Sequence, residues 1–205
     1  AMAQLGLLPV GGTDRGETNM YINRRNPMRF IKSSMQVTPT RLGPVSIQLA
    51  DMNGDGVLDM LGGGASPMYL LSLPLTRVLE HQHGMGAWDG STGEYLDGFP
   101  QLNDDIAFLS SPGVADVSGD GRPEVIYSGG GHFIYAADDQ GVQAPGFPHF
   151  TGGWSIGSPS IGDVNGDGFL DVVLGTREGS LFVWSTEGRA DGAVAWSGTR
   201  HDPAN

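Results

Sequence analysis

One short acidic loop is written three times into this chain: Asp51-Met-Asn-Gly-Asp-Gly-Val-Leu-Asp59, Asp116-Val-Ser-Gly-Asp-Gly-Arg-Pro-Glu124 and Asp163-Val-Asn-Gly-Asp-Gly-Phe-Leu-Asp171. Counted from the first Asp, oxygen-bearing side chains stand at positions 1, 3, 5 and 9, and Gly stands at 4 and 6. Carboxylates held this close repel one another unless a positive charge sits among them. An oxygen-only set of ligands suits a hard cation. Calcium, with its flexible shell of roughly six to eight oxygens, fits better than magnesium, which demands a near-ideal octahedron. A single Asp-Gly cluster reads as an ordinary turn; three in register, each leading into an apolar run, ask for more than a turn.

The loops belong to a longer repeat. Ser111-Pro112 and Ser158-Pro159 precede the second and third loops, and Gly43-Pro44 holds the matching place before the first. Apolar runs follow each loop at Val57–Leu61, Val125–Tyr127 and Phe169–Leu174, and second runs at Met85–Trp88, His132–Ala136 and Ser180–Trp184. These are rich in β-branched and aromatic residues and end in Gly-containing polar turns, which predicts strand, loop, strand, turn, strand. A Gly-Phe-Pro triplet at Gly98 recurs at Gly146, 48 residues on, and the second and third loops start 47 residues apart. Four-stranded units of about 40–50 residues are the signature of propeller blades. The predicted fold is therefore all-β, with blades at about 44–110, 111–157 and 158–205.

The first unit carries an apolar insertion at about 65–83, between its second and third strands. Strand alternation puts it at the end opposite the acidic loop, either as a partner-contacting surface or as a flap on its own blade. Residues 1–43 form a basic segment, with six of the 11 Lys and Arg residues against two acids. Within it Met20–Asn23 and Met28–Ser33 read as outer strands of a preceding blade, and Ala193–Trp196 in the tail reads as the outermost strand of blade three. Three blades are fewer than the roughly four a closed propeller needs. A larger propeller, of which these blades are part, is preferred over a small ring completed by the N-terminal segment.

Bulk properties narrow the partners. The chain has 205 residues, 34 Gly and 13 Pro, enough for a real core built of short elements and tight turns. A net charge of -12 argues against nucleic acid and anionic membranes as partners. No Cys is present, so disulfide and thiolate chemistry are excluded. No apolar run is long enough to span a bilayer.

At the acidic loops the chain resembles the FG-GAP/VCBS repeat family, the calcium-binding β-propeller repeats also found in integrin α-subunit heads and secreted bacterial proteins. The pattern D-x-[ND]-x-D-G-x-x-D followed by an apolar strand is matched at Asp51–Asp59 and Asp163–Asp171, whereas the second loop departs from it at Ser118 and Glu124. The resemblance implies up to three Ca²⁺ ions. Their ligands would be Asp51, Asn53, Asp55, the Val57 carbonyl and Asp59; then Asp116, Ser118, Asp120, the Arg122 carbonyl and Glu124; then Asp163, Asn165, Asp167, the Phe169 carbonyl and Asp171. An EF-hand would place its last acid three positions further on and between helices, so that reading and the dockerin reading are rejected. Many members of the family form seven-bladed propellers, which implies further blades here.

Other chemistry-bearing residues carry weaker signals. His81 and His83 with Glu80 fall short of the three or four protein ligands a zinc site needs. Asp104-Asp105 has no second carboxylate tied to it by spacing for sugar chemistry. Trp88 and Trp184 occupy matching strand positions, which predicts packing between blades over sugar stacking, and no catalytic residue is identified. The expected function is non-enzymatic: a secreted, cell-surface or periplasmic calcium-binding module for adhesion or protein interaction. Two alternatives stand beside it. One is a carbohydrate-active propeller, lectin or polysaccharide lyase, and the other is a structural subunit assembling through open blade edges. Expected partners are a protein or glycan ligand, or further blades or subunits of the same assembly, with no nucleic acid and no membrane insertion.

Overall fold

The computed structural model describes residues 17–23, 28–34, 43–65, 83–103 and 110–198. Among these there is no helix, and every regular element is a strand. The first two, β1 (Glu17–Asn23) and β2 (Met28–Ser34), pair antiparallel with each other as a separate two-stranded sheet. The predicted strands in this segment therefore exist and form a hairpin. Residues 66–82 of the insertion, with His81, and the Asp104-Asp105 pair lie outside the described residues, while Ala65 and His83 pair across β4 and β5.

Three larger antiparallel sheets follow in chain order. Blade one consists of β3 (Gly43–Ala50), β4 (Asp59–Ala65), β5 (His83–Trp88) and β6 (Gln101–Asn103). Blade two consists of β7 (Gly113–Ala115), β8 (Glu124–Ser128), β9 (Phe133–Ala137) and the short β10 (His149–Phe150). Blade three has β11 (Ser160–Gly162), β12 (Phe169–Gly175) and the long β13 (Leu181–Arg189). In each blade the acidic loop joins the first strand to the second, where the sequence pattern put it. The fold is all-β with propeller-like blades.

The last strand, β14 (Val194–Trp196), departs from expectation. It does not add to the outer edge of blade three but pairs antiparallel with β7, the first strand of blade two. The long β13 delivers the chain to the acidic-loop end of its blade, where Arg189 lies opposite Phe169. A tight turn follows, closed by the Gly192 amide donating to the Arg189 carbonyl. There the chain meets the open edge of β7, and an open strand edge is a ready template for pairing. The Ile161 amide also donates to the Ser197 carbonyl, so this tail tethers the inner edges of blades two and three.

Each sheet has two faces, and period-2 alternation assigns its residues to them. On blade two Val114, Val125, Tyr127 and Ala137 look back to blade one and share a core with Leu61, Met85 and Ala87. On the opposite face Ala115, Ile126, Ile134 and Ala136 look ahead to blade three and share a core with Ile161, Val172 and Leu174. We call the face turned toward the next blade in sequence the forward face, and its opposite the trailing face. Burial of this kind, worth about 25 cal/mol per Å² of apolar surface removed from water, supplies what the short strands cannot supply alone.

The matched Trp positions behave only half alike. Trp184 lies in the core between blades two and three, in a stack with His149 and Phe182. Trp88, in the same register position on blade one, is also buried, but stacks on Tyr95 and lies over Gly86, where a Cβ would meet the indole at 2.4 Å. The first Gly-Phe-Pro triplet marks a tight place in the framework. A Cβ on Gly98 would fall 1.9 Å from the Gly141 amide nitrogen, and the Gly98 amide donates to the Asp139 carbonyl, so this Gly joins blade one to blade two.

Candidate metal-binding loops

The three loops fold by one set of hydrogen bonds. In the first, Asp51 accepts from the amides of Gly54 (2.8 Å) and Asp55 (3.1 Å) through Oδ1 and of Gly56 (2.9 Å) through Oδ2. In the third, Asp163 does the same with Gly166, Asp167 and Gly168. In the second, Asp116 accepts from Gly119 (2.7 Å) and Gly121 (2.9 Å). Both Gly of every loop sit at positive φ, between 76° at Gly54 and 91° at Gly121, which explains why Gly and not another residue stands there. Position 5 turns onto position 7: Asp55, Asp120 and Asp167 accept from the amides of Val57, Arg122 and Phe169. The position-7 residues thus stand on the rim of each loop.

Position 3 follows the same scheme. Asn53 and Asn165 accept from the amides of Asp55 and Asp167 at 3.0 and 2.8 Å, while Ser118 reaches the Asp120 amide only at 3.4 Å. The position-9 acids differ from all others in the loops because they are buried. Asp59 accepts from the Met52 and Gly90 amides, Glu124 from Val117 and Ser118, and Asp171 from the Val164 amide and the Ser185 hydroxyl. These bonds close each loop end to end, so position 9 is the keystone.

Burial and solvation push the acids in opposite directions. Removal from water raises the pKa of Asp59 and of Glu124, against the hydrogen bonds that favour their ionised forms. Asp163, in water, is lowered, first by the Gly168 amide. Asp120 is lowered too, first by the Arg122 amide and further by the guanidinium of the same residue. The second loop thus combines a buried carboxylate that resists ionisation, Glu124, with an exposed one that favours it, Asp120. A bound cation would favour the ionised form of both.

Only one loop, among the described residues, gathers three carboxylates into a compact set: oxygens of Asp116, Asp120 and Glu124 lie within 4.8 Å of one another. This is the loop that departs most from the sequence pattern. The Glu at position 9 has a side chain one methylene longer than Asp, and it reaches further into the loop. The same loop carries a feature the sequence reading missed. The Arg122 guanidinium lies 3.4 Å from Asp120, 3.6 Å from Asp138 and 3.5 Å from Asp139, an internal cation over the acidic rim. Alternating Asp and Arg in the sequence gave a signal for it, but Asp138 and Asp139 come from the turn after β9, brought near only by the fold.

Neighbouring elements brace the second loop. The amides of Glu187 and Gly188, from blade three, donate to the Val117 carbonyl, and a Cβ on Gly188 would fall 2.0 Å from the Asp116 carbonyl oxygen. The third loop is held from its own blade, through the Ala190 amide to the Gly168 carbonyl.

Comparison with known families agrees with this geometry. Residues 116–174 match the FG-GAP-like repeat and residues 156–195 the FG-GAP repeat. Residues 116–195 carry FG-GAP repeats. No curated protein matches it. The first loop lies outside both matched stretches, and its kinship rests on the hydrogen bonds it shares with the other two. FG-GAP repeats make propeller-like modules for protein interaction and are generally associated with calcium. Among the described residues no helix is long and apolar enough to cross a membrane.

Proposed function

We propose that this FG-GAP protein is a non-enzymatic, calcium-stiffened interaction module that works outside the cell or in the periplasm, presenting its blades to a protein or glycan partner. The observation that carries the reading is the buried acid at position 9 of each loop, Asp59, Glu124 and Asp171, with oxygen-bearing side chains at positions 1, 3 and 5 of the same loop. A buried carboxylate without a counter-charge is costly, and three such residues in the same structural place favour a shared cause. The residues that would hold the ions fit a hard cation: carboxylates, Asn or Ser oxygens, and the carbonyls of Val57, Arg122 and Phe169, with no nitrogen or sulfur ligand among them. When bound, calcium supplies charge neutralisation and cross-links the loop. The chain's own residues fix the loop through the Gly conformations and the amide bonds to positions 1, 5 and 9.

Linkage gives the consequence for stability. An ion that binds only the folded loop at a concentration a hundredfold above its dissociation constant adds about 2.7 kcal/mol per site. Such a module is firm where calcium is plentiful and looser where it is scarce, which favours the extracellular setting. Calorimetric titration with Ca²⁺ and thermal melts with and without EDTA test the reading. A melting midpoint indifferent to both would overturn it. An active polysaccharide lyase assay would favour the carbohydrate-active alternative instead.

A further inference from the structure

We propose that two copies of this chain join through the outer edge of β13, strand against strand, about a two-fold axis at Val183. The inference does not depend on calcium. It starts from what the outer edge of each blade carries. Blade one places β6 on β5 and blade two places β10 on β9, strands of three and two residues. Each is entered directly after the Pro of a Gly-Phe-Pro triplet, Pro100 or Pro148, which has no amide hydrogen to offer another chain. Blade three has no fourth strand among the described residues: the next strand of the chain pairs with β7, and β13 ends its sheet. At nine residues β13 is also the longest of the described strands.

The backbone of this edge points its bonds in a definite way. The Thr176 amide donates to the Ser180 carbonyl at 2.9 Å, so these two residues are a hydrogen-bonded pair. Bonded and non-bonded pairs alternate along an antiparallel ladder. Phe182 and Trp184, opposite Leu174 and Val172, therefore turn their amides and carbonyls inward, and Leu181, Val183 and Ser185 turn theirs outward. Among the described residues none of these outward groups finds a partner. Exposed edges are ordinarily guarded by charge, by Pro or by shortness. Ser180 to Thr186 holds no charged residue and no Pro. Leu181 is 71% and Val183 51% exposed, so the forward side of this edge is apolar as well.

A second copy fits this edge because the edge is complementary to itself. An antiparallel pair of identical strands related by a two-fold axis keeps both forward faces on one side. Centred on Val183, it sets Leu181 against Ser185 of the second copy and Val183 against its own counterpart. All three outward residues then exchange amide and carbonyl bonds across the axis. Phe182 falls opposite Trp184 of the second copy on the trailing side, an aromatic cross-strand pair. A centre at Phe182 or Trp184 would set inward-turned groups against each other and lose those bonds. No like charges are opposed between Ser180 and Thr186. Such an interface is isologous and closes at two copies.

Sedimentation of the full chain across a dilution series tests this. A dimer that dissociates on dilution is expected. Val183→Lys and Val183→Asp each oppose like charges at the axis and should shift the equilibrium to monomer. Circular dichroism should remain unchanged, because this side chain faces water in the monomer. Mixing the two variants is the decisive arm: the mixture should regain a dimer that neither forms alone, a rescue possible only where a residue meets its own counterpart. Cysteine substitution reads the register and adds no charge, so it serves if the charged variants fold poorly. The chain has no Cys of its own, and Cα atoms of a bonded antiparallel pair lie about 5.5 Å apart, within disulfide reach. Val183→Cys should cross-link to a dimer under oxidised glutathione, and Leu181→Cys only when mixed with Ser185→Cys. A monomer at the highest soluble concentration, a dimer that both charged variants leave intact, or a mixture that stays monomeric would overturn the proposal. So would cross-linking of Leu181→Cys alone with none at Val183→Cys, or a monomer whose edge binds an extended peptide of another protein instead.

Discussion

The second and third acidic loops are built on one template and live in different surroundings. The second lies where blade three braces it: Val117 is sealed in the core, Glu187 and Gly188 bond its backbone, and Arg122 spans Asp120, Asp138 and Asp139. The third stands at the open end of the array. Its Val164 faces water, its backbone support comes from its own blade, and position 7 is Phe169, with the Arg189 guanidinium 5.1 Å above the ring. In one loop a cation is already supplied by the chain; in the other the guanidinium lies over a phenyl ring instead. The difference teaches that a repeat motif fixes a loop's backbone, while the neighbouring blade fixes how much of its charge is left to an ion.

Substitution at position 2 gives the largest expected contrast. Val117→Asp buries a charge between two blades and should cost about 3 kcal/mol or more, whereas Val164→Asp in dilute protein should stay within about 0.5 kcal/mol. Thermal or urea unfolding measures both, and equal losses would erase the distinction between the braced and the open loop. Next in size is calcium itself, expected to add about 2.7 kcal/mol per occupied loop at a hundredfold excess over its dissociation constant and to be removed by EDTA. Titration calorimetry on Asp163→Asn and Asp116→Asn variants would assign the loss to one loop or the other.

A smaller effect, on the order of 1 kcal/mol, is expected from Glu124→Gln, and its sign depends on the ion. Because burial raises the Glu124 pKa, folding without calcium is favoured at pH below the unfolded value of the group, and that contribution is lost as pH rises through the folded value. The calcium-free protein should thus gain stability on mild acidification, and Glu124→Gln should hold that gain at neutral pH. With calcium the same variant should lose the ion's contribution at its loop. Unfolding curves at neutral and mildly acidic pH, with and without EDTA, report all four states. The smallest effect is expected from Arg122→Ala. Its guanidinium is exposed, so stability should barely move, while the second loop should bind calcium a few-fold more tightly once the competing cation is gone. An unchanged or weaker affinity would show that Arg122 does not compete with the ion.

Much of this was legible in the residues. Oxygen side chains at positions 1, 3, 5 and 9 with Gly at 4 and 6 specify local hydrogen bonds, and local bonds survive whatever surrounds them. That is why Asp51 and Asp163 accept from the same three amides of their loops, and Asp116 from two of them. The strands after each loop were equally legible from their β-branched residues. The path of β14 was not, because Ala193–Trp196 carries only a strand signal and nothing that says which edge it meets. Arg122 was likewise marked for its carbonyl alone, since Asp138 and Asp139 approach it from another turn.

The sequence by itself determined the strand-and-loop unit, its three copies and the acids that line each loop, because each follows from bonds a few residues apart. Only the tertiary structure decided that Val117 is buried and Val164 exposed, that Glu124 completes a compact set with Asp116 and Asp120, and that Val194–Trp196 returns to blade two. Those outcomes depend on which sheet stands beside which, and the packing of one blade on the next joins residues too far apart in the chain for spacing to register.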